Sequence, residues 1–218
     1  MLIKTNIYRD SKNWYSGLIT SVASQELIRF CRRFAGKRIL DLGCATGDYC
    51  LELSKLGYEC VGADINEAYV TAARKKGVNA VVSGEKLPFE DDSFNTVILF
   101  EVLEHVQNPE RVLREAKRVS AGNILITVPD CGSRAALRGC KLICEHFLEL
   151  DHVNFFTEAD LKTLLAAHFA KFTAERREPI MIWNAGLPRW LRVPISALYR
   201  LGAFRMDLFN RLYAVAEK

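Results

Sequence analysis

The 218-residue sequence predicts an open α/β sheet, mostly parallel, with helices on both faces. Short apolar segments alternate with helix-like segments through the middle of the chain. A turn containing two glycines follows the first apolar segment, and two further strand-like segments lie in the last third. Such a fold binds its ligands at the carboxyl ends of the strands, so functional residues are expected there.

Five segments are predicted to be buried parallel strands, because each is short, rich in Val, Ile or Leu and almost continuously apolar. These strands are residues 38–42, 59–63, 79–82, 96–100 and 123–128. Residues 171–178 and 211–217 also resemble strands, and they could form an antiparallel edge to the sheet.

Helix signals fill the gaps between these strands. Asn108 is a suitable N-cap with Pro109 at the first helical position. Thr157 and Asp160 have the spacing of a capping box. Residues 13–34 have the periodicity of an amphipathic helix that precedes the first strand.

Composition predicts a globular protein of the cytoplasm. Half of the residues are hydrophobic, 26% are charged, and the net charge of +4 is too small to indicate a nucleic-acid binder. The first residues lack the apolar core of a signal peptide, and no apolar run is long enough to span a membrane. The seven cysteines are odd in number and form no repeated CxxC pair, so we expect reduced thiols.

We divide the chain into four parts of one domain. Residues 1–36 form a helical cap, 37–178 the core, 179–210 an insert and 211–218 the last strand. The insert is distinguished by its prolines, tryptophans and arginines and by the absence of acidic residues from 179 to 206.

The strongest motif is the segment that runs from Asp41 through Gly43 and Gly47 to Asp48. Glycine allows the backbone to turn tightly and to approach a ligand closely. The dinucleotide fingerprint G-x-G-x-x-G/A is not matched, because Ala45 and Asp48 occupy two of its positions. A pyrophosphate would face the Asp48 carboxylate, whereas an ammonium group would be attracted by Asp41 and Asp48.

Asp64 ends the second strand, 23 residues after Asp41. An acidic side chain at this position can accept hydrogen bonds from ribose hydroxyls. Ile65 follows as an apolar surface on which an adenine ring could lie.

The combined motifs resemble those of class I S-adenosylmethionine-dependent methyltransferases of the small-molecule type. They are the residues 41–47, Asp64, 85–89, 93–94, 100–106 and 127–129. The resemblance implies a Rossmann-like sheet of about seven strands with an antiparallel last strand. It also implies that S-adenosylmethionine is the cofactor, with Asp41, Gly43 and Gly47 at its methionine end and Asp64 at its ribose.

The remaining predicted cofactor contacts follow from the same resemblance. Cys44 and Ala45 belong to the glycine loop, and Ala45 stands where the family usually has glycine. Ser83 replaces a frequent aspartate that contacts the adenine amino group, so this contact falls to Ser83, Glu85 or the backbone around Gly84. Glu101, at the end of the fourth strand, completes the set.

Glu101, Glu104 and His105 would share one face if a helix began at the end of the fourth strand. They could bind a hard divalent cation, as is proposed for similar quinone-type O-methyltransferases. Alternatively, His105 faces the substrate as a general base, or the group caps a helix. We assign His105 as catalytic and assign no metal ligand.

Two other segments contain histidine. His152 lies in a segment that lines the substrate side in relatives, so it is a second candidate proton acceptor, although a structural loop histidine fits equally well. Cys131, Cys140, Cys144 and His146 match no zinc module, and we expect them to pack as ordinary residues.

The insert contains a mixed basic and aromatic segment, residues 186–210. It could form a lid over an apolar or anionic substrate, with contact to a membrane surface, or a pair of packing helices. The sequence does not indicate the oligomeric state of the protein.

The sequence therefore predicts an S-adenosylmethionine-dependent methyltransferase that acts on a small molecule. Three alternatives remain: a quinone- or lipid-type O-methyltransferase with a metal at Glu101, Glu104 and His105, a nicotinamide oxidoreductase, and a cofactor-binding partner subunit without activity. A nucleic-acid methyltransferase is disfavoured, because no [NDS]-P-P-[YF] motif follows the fourth strand.

Overall fold

The computed structural model describes residues 23–84, 86–132, 151–181, 187–204 and 207–218. They form one sheet of seven strands in the order β3-β2-β1-β4-β5-β7-β6. The strands are β1 (Arg38–Leu42), β2 (Glu59–Asp64), β3 (Asn79–Val82), β4 (Phe94–Phe100), β5 (Ser120–Pro129), β6 (Lys171–Pro179) and β7 (Phe209–Glu217). The helices are α1 (Gln25–Phe34), α2 (Asp48–Lys55), α3 (Glu67–Lys75), α4 (Pro109–Val119), α5 (Glu158–Ala166) and α6 (Arg189–Arg200).

The strand pairing confirms the predicted fold class. Strands β1 to β5 pair in parallel, and β7 lies antiparallel between β5 and β6. The strand order reverses at β1, which has β2 on one side and β4 on the other. The carboxyl ends of β1, β2 and β4 therefore surround the topological switch point, where open α/β sheets bind their ligands.

Several strands are longer than the sequence predicts. Strand β4 begins at Phe94, and β5 extends from Ser120 to Pro129. Strand β7 begins at Phe209 because this residue pairs with Pro179 at the end of β6. The last strand thus starts inside the region predicted as the insert.

The predicted helix starts at Asn108 and Thr157 are confirmed. The Asn108 side chain accepts a hydrogen bond from the Arg111 N–H at 3.0 Å. Thr157 and Asp160 form a reciprocal capping box. The N-terminal helix begins at Gln25, and the part of the predicted 13–34 helix before residue 23 lies outside the described residues.

Helices cover both faces of the sheet, which explains why its strands are apolar on both sides. One face packs against α4 and α5 through residues such as Leu113 and Leu161. The other packs against α1, α2 and α3, through residues such as Leu27, Leu53 and Val70.

Five of the cysteines lie among the described residues, and all five are free thiols. Cys140, Cys144 and His146 lie outside the described residues, so the predicted absence of a zinc site stays a prediction. Over the part of the chain that the structure describes, every helix is too short or too polar to cross a membrane.

Candidate functional site

In the loop that joins β1 to α2, two positions have a backbone conformation and close neighbours that disfavour any side chain. Gly43 and Gly47 have φ values of +82° and +76°, in the left-handed region that favours glycine. A Cβ atom on Gly43 would lie 2.5 Å from Cγ2 of Val102, in the segment after β4. The loop is therefore packed directly against the end of the neighbouring strand. Ala45 also has positive φ, +44°, a conformation that costs a non-glycine residue about 1–2 kcal/mol.

Backbone hydrogen bonds fix this loop on the end of β2. The N–H groups of Gly43 and Cys44 both donate to the Ala63 carbonyl oxygen, at 2.8 and 3.1 Å. The Ala45 N–H donates to Oδ2 of Asp64 at 2.8 Å. The glycine loop and the predicted ribose-binding residue thus form one connected unit.

The other Asp64 oxygen, Oδ1, accepts the N–H of Asn66 at 2.8 Å. These two bonds hold the half-buried carboxylate in place, and a carboxylate has about four acceptor positions, so it keeps capacity for further donors. Beside it, the side chain of Ile65 is 77% exposed. This apolar surface next to a fixed carboxylate is what a nucleoside requires.

Asp41 is buried beneath the loop, with only 2% of the residue exposed. Its Oδ2 accepts a hydrogen bond from the Cys50 thiol at 3.6 Å. Burial raises the pKa of Asp41 to about 7, an effect that the Cys50 hydrogen bond opposes. Asp41 can therefore change its charge near neutral pH.

Asp48 has a role that the sequence did not reveal. Its carboxylate forms an ion pair with Nζ of Lys76 at 2.8 Å and accepts a hydrogen bond from the Thr46 hydroxyl at 2.6 Å. The expectation that Asp48 attracts a ligand ammonium group is therefore corrected, because Lys76 already compensates its charge. The prediction that an acid at this loop attracts an ammonium group then applies to Asp41.

Two predicted contact residues direct their side chains elsewhere. Cys44 is buried, and its Sγ packs against Gly62, where an added Cβ atom would lie only 2.6 Å from that sulfur. Burial raises the pKa of the Cys44 thiol. Cys44 therefore contributes backbone to the loop. The Ser83 hydroxyl donates to the Lys86 carbonyl oxygen at 3.0 Å. Gly84 is exposed, and Glu85 lies outside the described residues.

Glu101 does not begin a helix, which corrects the premise that it shares a helical face with Glu104 and His105. Its φ of +56° is incompatible with a right-handed helix. The carboxylate instead lies 3.2 Å from Nε of Arg211 in β7. The Glu101 side chain thus faces the last strand, and Glu101 drops out of the alternative metal site that the sequence offered.

Arg211 connects Glu101 to the far edge of the sheet. Its Nη1 lies 2.8 Å from Oε2 of Glu178, which accepts a further hydrogen bond from the Tyr213 hydroxyl at 2.6 Å through Oε1. Burial and the Glu178 carboxylate raise the pKa of Tyr213. Glu178 shares the positive φ of Glu101, +58°, so both partners of Arg211 have unusual backbones.

The structure brings together the two predicted catalytic histidines. One ligand atom from each of Glu104, His105 and His152 lies within 4.8 Å of the others. The imidazole rings are 4.6 Å apart in a T-shaped arrangement. His105 Nδ1 also lies 3.3 Å from Oδ2 of Asp151. Glu104 and His152 are buried, whereas His105 is exposed.

Backbone contacts hold this cluster together across nearly fifty residues of sequence. The N–H groups of Val153 and Asn154 donate to the Glu104 carbonyl oxygen, at 2.8 and 3.0 Å. The side-chain Nδ2 of Asn154 donates to the carbonyl oxygens of Leu103 and Val106, at 2.9 and 2.6 Å. The arrangement suits proton transfer, and its one carboxylate and two imidazoles are also ligands for a divalent metal.

The site therefore has the features of a nucleotide-type cofactor site: a close-approach glycine loop, a fixed carboxylate and an exposed apolar side chain at a topological switch point. These features fit S-adenosylmethionine, because Asp64 is a fixed carboxylate beside the exposed Ile65 side chain and Asp41 is an acid near the loop. Comparison with known proteins agrees with this class. Residues 19–168 match the family model of a methyltransferase domain, and the chain belongs to that family.

Curated relatives are similar over part of their length. The chain is 30% identical over 112 residues to an uncharacterized Methanocaldococcus jannaschii protein, covering 50% of this chain and 53% of the relative. It is 36% identical over 93 residues to a ubiquinone biosynthesis O-methyltransferase of Hahella chejuensis, covering 39% of each. The chain thus spans about half or less of the length of these relatives.

Solved structures show the same fold over nearly the whole chain. A SAM-dependent methyltransferase from Archaeoglobus fulgidus superposes with a TM-score of 0.65 at 21% identity, covering 97% of this chain and 96% of that one. A Pyrococcus horikoshii protein gives 0.62 at 21% identity, covering 96% and 100%. The architecture is therefore that of class I S-adenosylmethionine-dependent methyltransferases.

Proposed function

We propose that the chain transfers the methyl group of S-adenosylmethionine to a small-molecule acceptor. The observation that carries the proposal is the hydrogen bond from Ala45 N–H to Asp64, which joins the glycine loop and the strand-end carboxylate into one site. Family membership supports the activity.

In this proposal each part of the site binds a different part of the cofactor. The backbone from Gly43 to Gly47 lies against the methionine end, Asp41 attracts its ammonium group, and Asp64 accepts the ribose hydroxyls. Ile65 supports the adenine, with the Ser83 and Gly84 backbone beside it. When bound, the cofactor supplies an already activated methyl group, so the protein mainly has to position the acceptor.

His105 and His152 are the proposed proton acceptors for an oxygen or neutral nitrogen nucleophile. The contact between Asp151 and Nδ1 of His105 would fix the orientation of that imidazole. His152 is more deeply buried, so its effect on an acceptor would pass through His105.

A metal-assisted reaction is the second candidate, supported by the close approach of Glu104, His105 and His152. The ligand set differs from the one that the sequence indicates, since Glu101 is paired with Arg211 and His152 takes its place. Loss of activity on chelation, with recovery by added metal, would favour this reaction. Activity unaffected by chelation would exclude it.

We also propose a cytoplasmic location and a membrane contact through residues 186–210. The five free cysteines among the described residues are typical of a reducing compartment. The exposed apolar side chains of α6 support the contact.

Thermal unfolding with S-adenosylhomocysteine, compared with NAD, tests the cofactor class. At 100 times its Kd a ligand stabilises by about 2.7 kcal/mol, which corresponds to a Tm increase of about 5–10 °C for a chain of this length. We expect this shift with S-adenosylhomocysteine and none with NAD. The opposite pattern would indicate an oxidoreductase.

A further inference from the structure

Helix α6 presents an apolar face to solvent. Trp190, Val193 and Leu201 are 72%, 66% and 82% exposed, and none of the helix residues is buried. Large apolar side chains in such number rarely stay exposed on a soluble protein without an interaction partner.

The exposed residues form a stripe with basic side chains along its edge. Trp190, Val193 and Ala197 of α6 and Leu201, its C-cap, recur at intervals of three or four positions, so they lie on one side of the helix. Arg189 and Arg200 are exposed close to the same side, where long side chains can extend to an anionic surface. The segment from 179 to 206 has four arginines and no acidic residue.

We propose that this stripe docks helix α6 flat on an anionic phospholipid surface. An interfacial helix has this chemistry: arginines beside a face of tryptophan and aliphatic side chains, and a length too short to span the bilayer. The 12 residues extend about 18 Å. With the helix lying parallel to the membrane, all side chains of the stripe reach the headgroup boundary together. The inference deepens the membrane contact of residues 186–210 and rests on that proposed function.

The base of the insert lies next to the candidate site. The antiparallel pairing of β6 and β7 continues into the base of the insert, where the Ile180 N–H donates to the Leu208 carbonyl oxygen at 2.9 Å. Arg211, just beyond, contacts Glu101 at the end of β4. Docking of α6 would therefore bring the membrane surface close to the end of β4, beside the candidate site. This placement suits a methyl acceptor that is apolar and dissolved in the bilayer.

Vesicle co-sedimentation tests the proposal with the full chain. We expect binding to vesicles of phosphatidylglycerol mixed with phosphatidylcholine, little binding to phosphatidylcholine alone, and weakening at high salt. Tryptophan fluorescence should shift to shorter wavelength on binding. Trp190→Phe should keep most of the binding but lose most of this shift.

Three surface variants separate the contributions. Arg189→Gln with Arg200→Gln should weaken binding to anionic vesicles by about 30-fold, since each basic side chain near the leaflet contributes about 1 kcal/mol, or about fivefold. Trp190→Ser with Leu201→Ser should weaken it at least tenfold by removing apolar area. Leu56→Ser, at an apolar side chain 51% exposed beyond α2, is the matched control and should bind as the wild type does.

Affinity for S-adenosylhomocysteine, measured without vesicles, separates this inference from the proposed function. Retained cofactor affinity without vesicle binding would overturn the docking proposal and the membrane contact that it deepens, and would leave the proposed methyl transfer standing. Equal binding to both vesicle types would also overturn it. So would self-association in the ultracentrifuge that the Trp190→Ser and Leu201→Ser pair abolishes, because the stripe would then bind a second copy.

Discussion

The buried carboxyl group of Asp41 offers a quantitative test of the site, through Asp41→Asn. Burial raises the pKa of Asp41 from 3.8 to about 7. An acid whose pKa rises this far on folding costs the native state up to about 4 kcal/mol once it is ionised. The asparagine side chain has nearly the same shape and never ionises, so it avoids this cost.

The sign of the pH dependence follows from proton binding. Between pH 4 and 7 the native state holds the Asp41 proton more tightly than the unfolded state does, so stability falls as pH rises through this range. Below pH 4 the carboxyl group is protonated in both states and the cost disappears. The variant should therefore match the wild type near pH 4 and exceed its stability increasingly up to about pH 8.

Urea unfolding of both proteins at pH 4, 6 and 8 measures this difference directly. The two proteins differ at this one group, so the difference reports the ionisation of Asp41 together with its charge coupling to Asp48 and Asp64. A stability difference that does not change with pH would refute the assignment of a buried, ionisable Asp41.

Two further substitutions test the packing around the site. Gly43→Ala should destabilise by about 2–4 kcal/mol in urea unfolding, because the positive φ and the contact with Val102 both oppose a side chain. In a Val102→Ala background the same change should cost only about 1–2 kcal/mol, and an equal cost in both backgrounds would contradict the contact. Arg211→Met should destabilise by about 2–3 kcal/mol because it leaves the Glu101 and Glu178 carboxylates without their cation, and the loss should shrink at pH 4. A loss independent of pH would contradict the ion-pair explanation.

The sequence predicted the elements that depend on local pattern. The apolar continuity of the strands, the Asn108 cap and the Thr157 capping box each require only neighbouring residues, and the structure has all of them. The length of β7 was missed because Phe209 is a strand residue only through its pairing with Pro179. Such pairing across the sheet leaves no local signal.

The same distinction applies to the candidate site. Asp64 and the glycine loop follow from motif spacing, and their hydrogen-bonded connection agrees with that prediction. Glu101 was placed on a helix because its spacing to Glu104 and His105 fits one. Its positive φ and its pairing with Arg211, 110 residues away, depend on tertiary contacts that spacing cannot show. The Lys76 partner of Asp48 was missed for the same reason.

Calorimetric titration of S-adenosylhomocysteine into the wild type and Asp64→Ala tests the central claim most directly. We expect the variant to bind S-adenosylhomocysteine at least tenfold more weakly than the wild type, since hydrogen bonds to a charged group contribute about 1.5–3 kcal/mol. Glu59→Ala is the matched control, because Glu59 is an exposed acid at the opposite end of the same strand, and it should bind as the wild type does. Equal affinity of the wild type and Asp64→Ala would contradict the assignment of this carboxylate to the cofactor.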